Sequence, residues 1–371
     1  MKTIKPIKLT AGANRNIQNC PVTFMFDSDK ELKECSFWLK DGRDRIPAQL
    51  SKDKNGQYRI DFIVMYMEKG TQAVLVPDFD SAPPARIESV ADKGKININI
   101  DGEFYTAYQY DIGFAKPHIG PITTKNGENI TRYDFEIKEH PHHRSIWFSH
   151  GAVNGIDTWN EPEGTHGYIK NKSAEIIAGG AVTAGFDAVN TWTDNSGKPL
   201  CDDRTTVRFY NPIGEFVIMD MELTLFANYG DVTLGSTKEA GPVAVRMDEN
   251  LRADRTGTIE DSHGGINEDE IWMKRSFFCD YYGKTTNGFT YGVALLDNPD
   301  NDTYPSYWHS RNYGLYAPNN FYIGGDRVIK DGESMTFKYR CIVHRGTTAE
   351  AGIQDQFNYY VAGPKCEFVP D

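Results

Sequence analysis

Between residues 215 and 227, Val217, Met219, Met221, Leu223 and Leu225 alternate with Asp220, Glu222 and Thr224. A period of two puts the apolar set on one face of an extended strand, which a helix cannot do. Met335, Phe337, Tyr339, Cys341 and Val343 repeat the pattern against Lys338, Arg340 and His344. Elsewhere, short runs of aromatic and β-branched residues are broken by Gly, Asn, Asp and Pro, so the chain reads as all-β. The one clear helix signal is late: Thr347-Thr348-Ala349-Glu350 forms a capping box leading into residues 351–361 and stopping near Gly363.

The first ninety residues carry strand signals at 22–26, 36–39, 58–66 and 73–76, then reach the turn-rich Ser81-Ala82-Pro83-Pro84. A small β domain over residues 1–90 and a larger one over 91–371 are therefore expected, and 371 residues are enough to bury two cores.

The formal charge of -12 and the lack of any Lys/Arg run exclude a general nucleic-acid binder, which needs a basic face. The six cysteines are scattered with no C-x-x-C pair, and read as mostly buried thiols. No window approaches the ~18 apolar residues of a membrane helix, so no membrane partner is expected. The opening Met1-Lys2-Thr3-Ile4-Lys5-Pro6 lacks the apolar centre of a secretory leader. A periplasmic or extracellular location would require that a leader had been removed; otherwise the expectation is a soluble cytoplasmic protein. Neither a phosphate-cradling glycine loop nor G-x-G-x-x-G before a helix occurs, and no cofactor is expected.

Chemistry concentrates in Glu139-His140-Pro141-His142-His143-Arg144-Ser145-Ile146-Trp147-Phe148-Ser149-His150, which holds four of the nine histidines, with Asn154, Asp157 and Trp159 close behind. Imidazoles move protons near neutral pH, and planar donors and flat rings suit a sugar. On an extended backbone Arg144, Ile146, Phe148 and His150 share one face. His140 and His142 leave the same side and are candidate ligands for a divalent metal, completed by His143, His309, Asp157 or Glu239. A second concentration, Tyr307-Trp308-His309-Ser310-Arg311-Asn312-Tyr313-Gly314, offers stacking on a sugar face by Trp308 and Tyr313 and contacts to its oxygens or a carboxylate by His309 and Arg311. Glu239 and Arg246 could serve as base and anion clamp. Taken singly, each of these residues has an ordinary alternative as a hydrogen-bonded core group or ion-pair partner.

Phe114-Ala115-Lys116-Pro117-His118-Ile119 with Thr131-Arg132, the His140–Phe148 segment, Asn154-Gly155-Ile156-Asp157-Thr158-Trp159, Lys238-Glu239, Asp297-Asn298-Pro299 and Trp308–Gly314 together resemble the family labelled methane oxygenase PmoA-like. The resemblance runs from about residue 90 to 345. A membrane-spanning monooxygenase subunit is excluded, because no segment here can span. The look-alike proteins are bacterial, often exported, and often encoded among carbohydrate-degrading genes. The resemblance implies a large twisted β-sandwich like that of galactose mutarotases, a supersandwich, preceded by a small β-sandwich domain. Ser145 stands where Gly is frequent in that pattern, which bears on local backbone geometry.

The resemblance carries His143, Arg144, His150, Asn154, Asp157, Glu239, Arg246, His309 and Arg311 onto a site. The function expected is a carbohydrate-active enzyme of glycoside hydrolase or polysaccharide lyase type, acting on an oligosaccharide or glycoside. In it His143, His150, Glu239 and His309 would transfer protons. Arg144, Asn154, Asp157, Trp159, Arg246, Trp308 and Arg311 would bind the substrate. The alternatives are a sugar-binding accessory protein without turnover and a mutarotase-like epimerase.

Overall fold

The computed structural model describes residues 4–133 and 139–370. Its strands form a seven-stranded sheet, two eight-stranded sheets and a two-stranded ribbon, and the named pairings are antiparallel. The first eight-stranded sheet runs, edge to edge, Trp308–Ser310, Leu315–Pro318, Ala240–Arg246, Ile146–His150, His118–Ile119, Glu103–Gln109, Lys95–Ile100 and Ile87–Asp92. We call it the histidine sheet. The second runs Tyr168–Ile177, Thr183–Thr193, Pro199–Tyr210, Val217–Phe226, Ser334–Arg345, Thr290–Asp297, Phe278–Lys284 and Thr258–Asp261, and is called the arginine sheet.

The inner faces of these two sheets share one apolar core. Ile146, Val243, Val245 and Tyr316 from the histidine sheet meet Met219, Met221, Leu223 and Leu225 from the arginine sheet. The period-two pattern thus has the cause expected of it, and the architecture is an all-β sandwich. The polar side of strand Val217–Phe226 is covered as well. Asp220 accepts from Arg340, and Glu222 pairs with Lys54 of the N-terminal body at 2.6 Å. Gln49 of that body accepts from the backbone of Val182 and Thr183 at 3.2 and 3.0 Å. The strand is buried on one face by the apolar core and on the other by polar packing.

The N-terminal body, built on strands Ile17–Phe26, Tyr58–Met67, Asp44–Lys52, Cys35–Asp41, Gln72–Asp78 and Ile7–Thr10, keeps a separate core around Phe37, Leu39, Ile60 and Phe62. Two features shift the expected division at residue 90. Strand Ile87–Asp92 crosses it and belongs to the histidine sheet. At the other end, strand Lys365–Phe368 returns to pair with Ile7–Thr10 and sets Phe368 edge-on against Phe24 and Phe26, at 4.8 and 5.2 Å between centroids. An edge strand with exposed hydrogen-bonding groups is a liability, and this pairing covers it.

The expected helix forms over Ile353–Ala362. Its capping-box residues bond reciprocally in the turn before it: Thr347 N donates to Glu350 Oε2 at 2.9 Å, and Glu350 N to Thr347 Oγ1 at 3.3 Å. Tyr359 enters the N-terminal core, while Ile353 and Phe357 pack on the outside of the arginine sheet, so the helix ties the two bodies together. Among the described residues no helix is long and apolar enough to cross a membrane.

Candidate functional site

Register decides which side chains reach the outer face of the histidine sheet. His118 lies opposite Trp147, Trp147 opposite Ala244, Arg246 opposite Leu315, and His309 opposite Ala317. Their strand neighbours Ile119, Ile146, Val245 and Trp308 point into the inter-sheet core, so this set points outward. Among the described residues, the non-glycine residues with positive φ include His140, Ser145 and Glu161, in the loops over this face. Each such conformation costs about 1–3 kcal/mol, and strain of this kind gathers at functional sites. Ser145, at φ 53°, adopts the left-handed backbone that glycine tolerates. It is held there by its hydroxyl against Thr131 Oγ1 at 2.6 Å and by its carbonyl, which accepts from Arg246 N at 2.8 Å.

The imidazoles form a packed group. His140 stacks on His143 at 4.9 Å and on Tyr313 at 4.8 Å, His143 stacks on Trp147 at 5.1 Å, and His142 meets His143 edge-on at 4.4 Å. Arg246 is fully buried (0 % exposed) and supplies Nη1 to His143 Nδ1 at 2.9 Å and Nη2 to Glu139 Oε2 at 2.8 Å. Its guanidinium carbon lies 4.9 Å from the Tyr313 ring centroid. Glu139 also bonds His140 Nδ1, which leaves the half-exposed His140 ring with Nε2 as its working nitrogen. Burial works to raise the Glu139 carboxyl, but Arg246 and His140 outweigh it and hold the group below its ordinary range. Burial depresses His143 well below the normal imidazole value, and the neighbouring His142 and Arg246 add to the effect. Burial likewise pushes His142 down to about 3, helped by Lys116.

A second network closes the site from the side. Glu161 accepts Nη2 of Arg144 at 2.9 Å and also bonds Arg144 Nη1 and Lys116 Nζ. Burial would raise Glu161, yet Lys116 and Arg144 hold it at about 2. Lys116, fully enclosed, is pulled down to about 8 by burial, with Glu161 opposing. Beyond Tyr313, Arg311 donates Nε to His309 Nε2 at 3.2 Å, pairs with Glu268, and lies over Trp272 at 5.0 Å. Burial, then Arg311, lowers His309 to about 3. Glu239 is partly exposed beside Lys238 at 3.3 Å. The Tyr313 hydroxyl is pushed up to about 12 by burial, opposed by Arg311 and Arg246 and reinforced by Glu139 and Glu239. All four charged groups therefore lie within electrostatic reach of one phenol, where the two concentrations of the sequence meet.

The other expected site residues lie differently. His150 is in the inter-sheet core, with Nε2 at 2.9 Å from the Gly235 carbonyl and its ring edge-on to Phe321. Burial lowers it to about 4. It shares the inner face with Ile146 and Phe148; Arg144 does not, because the strand begins only at Ile146, after the turn at Ser145. Trp308 is fully buried in the same core and donates Nε1 to the Ser276 carbonyl at 3.0 Å, so it has no free face for stacking. Trp159 is also sealed, under Trp147. Asp157 accepts from the backbone of Trp159 and Asn160 at 2.8 and 2.9 Å, and Asn154 bridges to the backbone of Asp231 and Thr233; both shape loops. His140 and His142 face each other at 5.8 Å, but among the described residues no group of three His, Cys, Asp or Glu side chains is placed to hold a metal ion. The third histidine, His143, already faces the Arg246 cation.

Several buried polar atoms of this face have no hydrogen-bond partner among the described residues: Trp147 Nε1, His142 Nε2, His309 Nδ1 and Arg246 Nε. Buried polar groups are normally satisfied, so these atoms mark where water or a polar ligand fits.

A family model matches residues 95–358, which takes in every motif from Phe114 to Gly314. The chain belongs to DUF6807, a family of unknown function. No curated protein matches it. Among solved structures, a protein of glycosyl hydrolase family 38 from Enterococcus faecalis matches with TM-score 0.42 and 10 % identity, over 99 % of this chain and 47 % of that one. An alpha-mannosidase from Enterococcus faecalis V583 matches with TM-score 0.43 and 9 % identity, over 99 % of this chain and 46 % of that one. This DUF6807 protein spans less than half the length of either, and likenesses this loose carry no argument about its activity.

Sequence reasoning gave Tyr313 a stacking role but assigned none to Glu139, Glu161 or Lys116, although these organise the candidate site. Glu139 adjoins the histidine run, and that adjacency was the available signal. Glu161 meets Lys116 from 45 residues away, a separation no local pattern reveals.

Proposed function

We propose that this protein is a carbohydrate-active enzyme that binds a sugar ring at the solvent-facing rim around Tyr313 and breaks a glycosidic linkage by acid–base chemistry. The observation that carries the reading is the half-exposed Glu139–His140 pair, its imidazole stacked on Tyr313, with the partly exposed Glu239 among the carboxylates whose charge reaches the same phenol. Glu139 fixes the proton on His140 Nδ1 and stabilises the imidazolium, so Nε2 can deliver a proton to the glycosidic oxygen. The C–O bond then breaks, and a water deprotonated by Glu239 supplies the new hydroxyl. Arg246 holds Glu139 in place, and the Tyr313 hydroxyl and Arg311 offer hydrogen bonds to sugar oxygens. Proton donation passes to His140 rather than His143 or His150, because those two are buried and held neutral. The resemblance to proteins encoded among carbohydrate-degrading genes supports the same substrate class.

A panel of glycosides and oligosaccharides, assayed for product with wild type, Glu139→Gln and His140→Asn, tests this. Each variant should lose about 10²- to 10⁴-fold in kcat with its melting temperature little changed. Sugar binding without product release in the wild type would favour the second reading, a sugar-binding accessory protein. That reading is supported by His143 and His309, held as neutral hydrogen-bonding groups. Full turnover in both variants would remove the pair from the chemistry.

A further inference from the structure

A cavity of about 580 Å³ lies between the N-terminal body and the outer face of the arginine sheet. Its floor is the polar side of strand Pro199–Tyr210, where Arg204, Thr206, Arg208 and Tyr210 follow at every second position. Ser51 and Arg59 line it from the N-terminal body. The carboxylates nearest this floor are committed to other cations. Asp61 takes Arg59 Nε and Nη2 at 2.8 and 2.6 Å, and Asp187 takes Arg204 Nε at 2.7 Å and the Thr206 hydroxyl at 3.0 Å. Asp220, directly opposite Arg208 in the ladder, is gripped by Arg340 at 2.6 and 2.8 Å and by the Tyr210 hydroxyl at 3.0 Å. Glu222 takes Lys54. Asp53 closes its own turn by accepting from Asn55 and Gln57, and Glu34 and Glu175 are exposed.

Arg208 is the cation left over. It is 8 % exposed, and among the described residues its buried Nη1 has no acceptor and its guanidinium has no ion pair. Gly185, its register partner on the other side, adds no side chain next to it. The Ser51 hydroxyl, 5 % exposed and lining the same cavity, is also without a partner. Burial and the neighbouring Arg59 disfavour the Arg208 charge, Asp61 and Asp187 offset part of that cost from a distance, and an anion that bonds the guanidinium directly is therefore bound favourably. We infer that this cleft binds a small oxyanion, a carboxylate or phosphate group, held bidentate by Arg208 and hydrogen-bonded by Ser51. The ligand bridges the N-terminal body and the sandwich. This inference is independent of the proposed sugar chemistry on the other sheet.

Titration calorimetry and thermal melting of the whole protein with sodium glucuronate and with inorganic phosphate, against sodium chloride at matched ionic strength, test it. The expected result is saturable binding and a rise in melting temperature beyond that in chloride, and whichever anion binds tighter identifies a carboxylate or a phosphate ligand. Arg208→Met should weaken affinity about 10- to 100-fold while folding at least as stably as wild type, since it removes an unpaired buried charge. Ser51→Ala should weaken it by a smaller factor. No response beyond chloride, or wild-type affinity in both variants, overturns the inference.

Discussion

The outer faces of the two large sheets follow different rules. On the arginine sheet, cations meet carboxylates: Arg59 with Asp61, Arg204 with Asp187 and Arg340 with Asp220, in a layer that joins the sandwich to the N-terminal body. On the histidine sheet, Arg246 meets an imidazole and a phenol as well as Glu139, and several polar atoms are left unpartnered. A face whose hydrogen bonds are closed by its own residues is structural packing, whereas a face with open donors is prepared for a ligand. Within the arginine layer Arg208 departs from this pattern: unlike Arg59, Arg204 and Arg340 it has no carboxylate bonded to it among the described residues, and with the unpartnered Ser51 hydroxyl it points to a site there too.

Acid should separate the two faces most strongly. His118, His142 and His309 on the histidine face are held near 3, His150 in the core near 4, and His143 well below its ordinary value, all chiefly by burial. Above pH 6.5 the folded and unfolded chains bind equal numbers of protons at these rings. Between pH 6.5 and 4 the unfolded chain takes up protons that the folded chain refuses, so stability falls as pH falls, by about 1.4 kcal/mol per unit for each ring. The unfolding free energy from denaturant titrations should therefore fall by more than about 10 kcal/mol between pH 7 and 4.5, enough to unfold a protein of ordinary stability within that window. His309→Gln should flatten the slope by one ring's share, while Arg204→Gln on the other face should leave it unchanged. A flat profile from pH 7 to 5 would contradict the burial of these rings.

Breaking one carboxylate on each face gives the next largest effect. Glu161→Gln removes the carboxylate that Lys116 and Arg144 share and should cost about 3–5 kcal/mol, the usual result when one partner of a buried pair is lost. Asp220→Asn strands Arg340 alone, and its side chain is 29 % exposed against 15 % for Glu161, so about 2 kcal/mol is expected. Chemical denaturation of both variants ranks them; the reverse order would mean that the histidine face is the less tightly held of the two.

The sandwich was legible because its signal is local: Val217 to Leu225 alternate along one strand, and the core that buries them requires nothing else. The partial cover of Asp220 and Glu222 was not legible, since it comes from Arg340 and Lys54, 120 and 168 residues distant. The histidine run announced a site by residue type. Which imidazole meets solvent depends on the backbone turns at His140 and Ser145, and on Arg246 reaching Glu139 across 107 residues. Extended-strand reasoning therefore put Arg144 on the same face as His150, whereas the folded chain turns it toward Glu161.

Ser145 offers the finest test, because it links the strained loop to the Arg246 strand. Ser145→Ala keeps a Cβ at φ 53° and loses the hydroxyl bond to Thr131, for a cost of about 1–2 kcal/mol. Ser145→Gly loses the same bond but relieves the left-handed strain, worth about 1 kcal/mol, so it should lie near wild type and above the alanine variant. The room it vacates also matters, since Ser145 Cβ is the atom that a Cβ on Gly120 would strike at 2.7 Å. With Gly at 145, Gly120→Ala should lose part of its steric penalty, a coupling that a double-mutant cycle on denaturation midpoints measures directly. If alanine and glycine at 145 were equally stable, the positive φ would carry no strain, and the loop over the histidine face would be held by its hydrogen bonds alone.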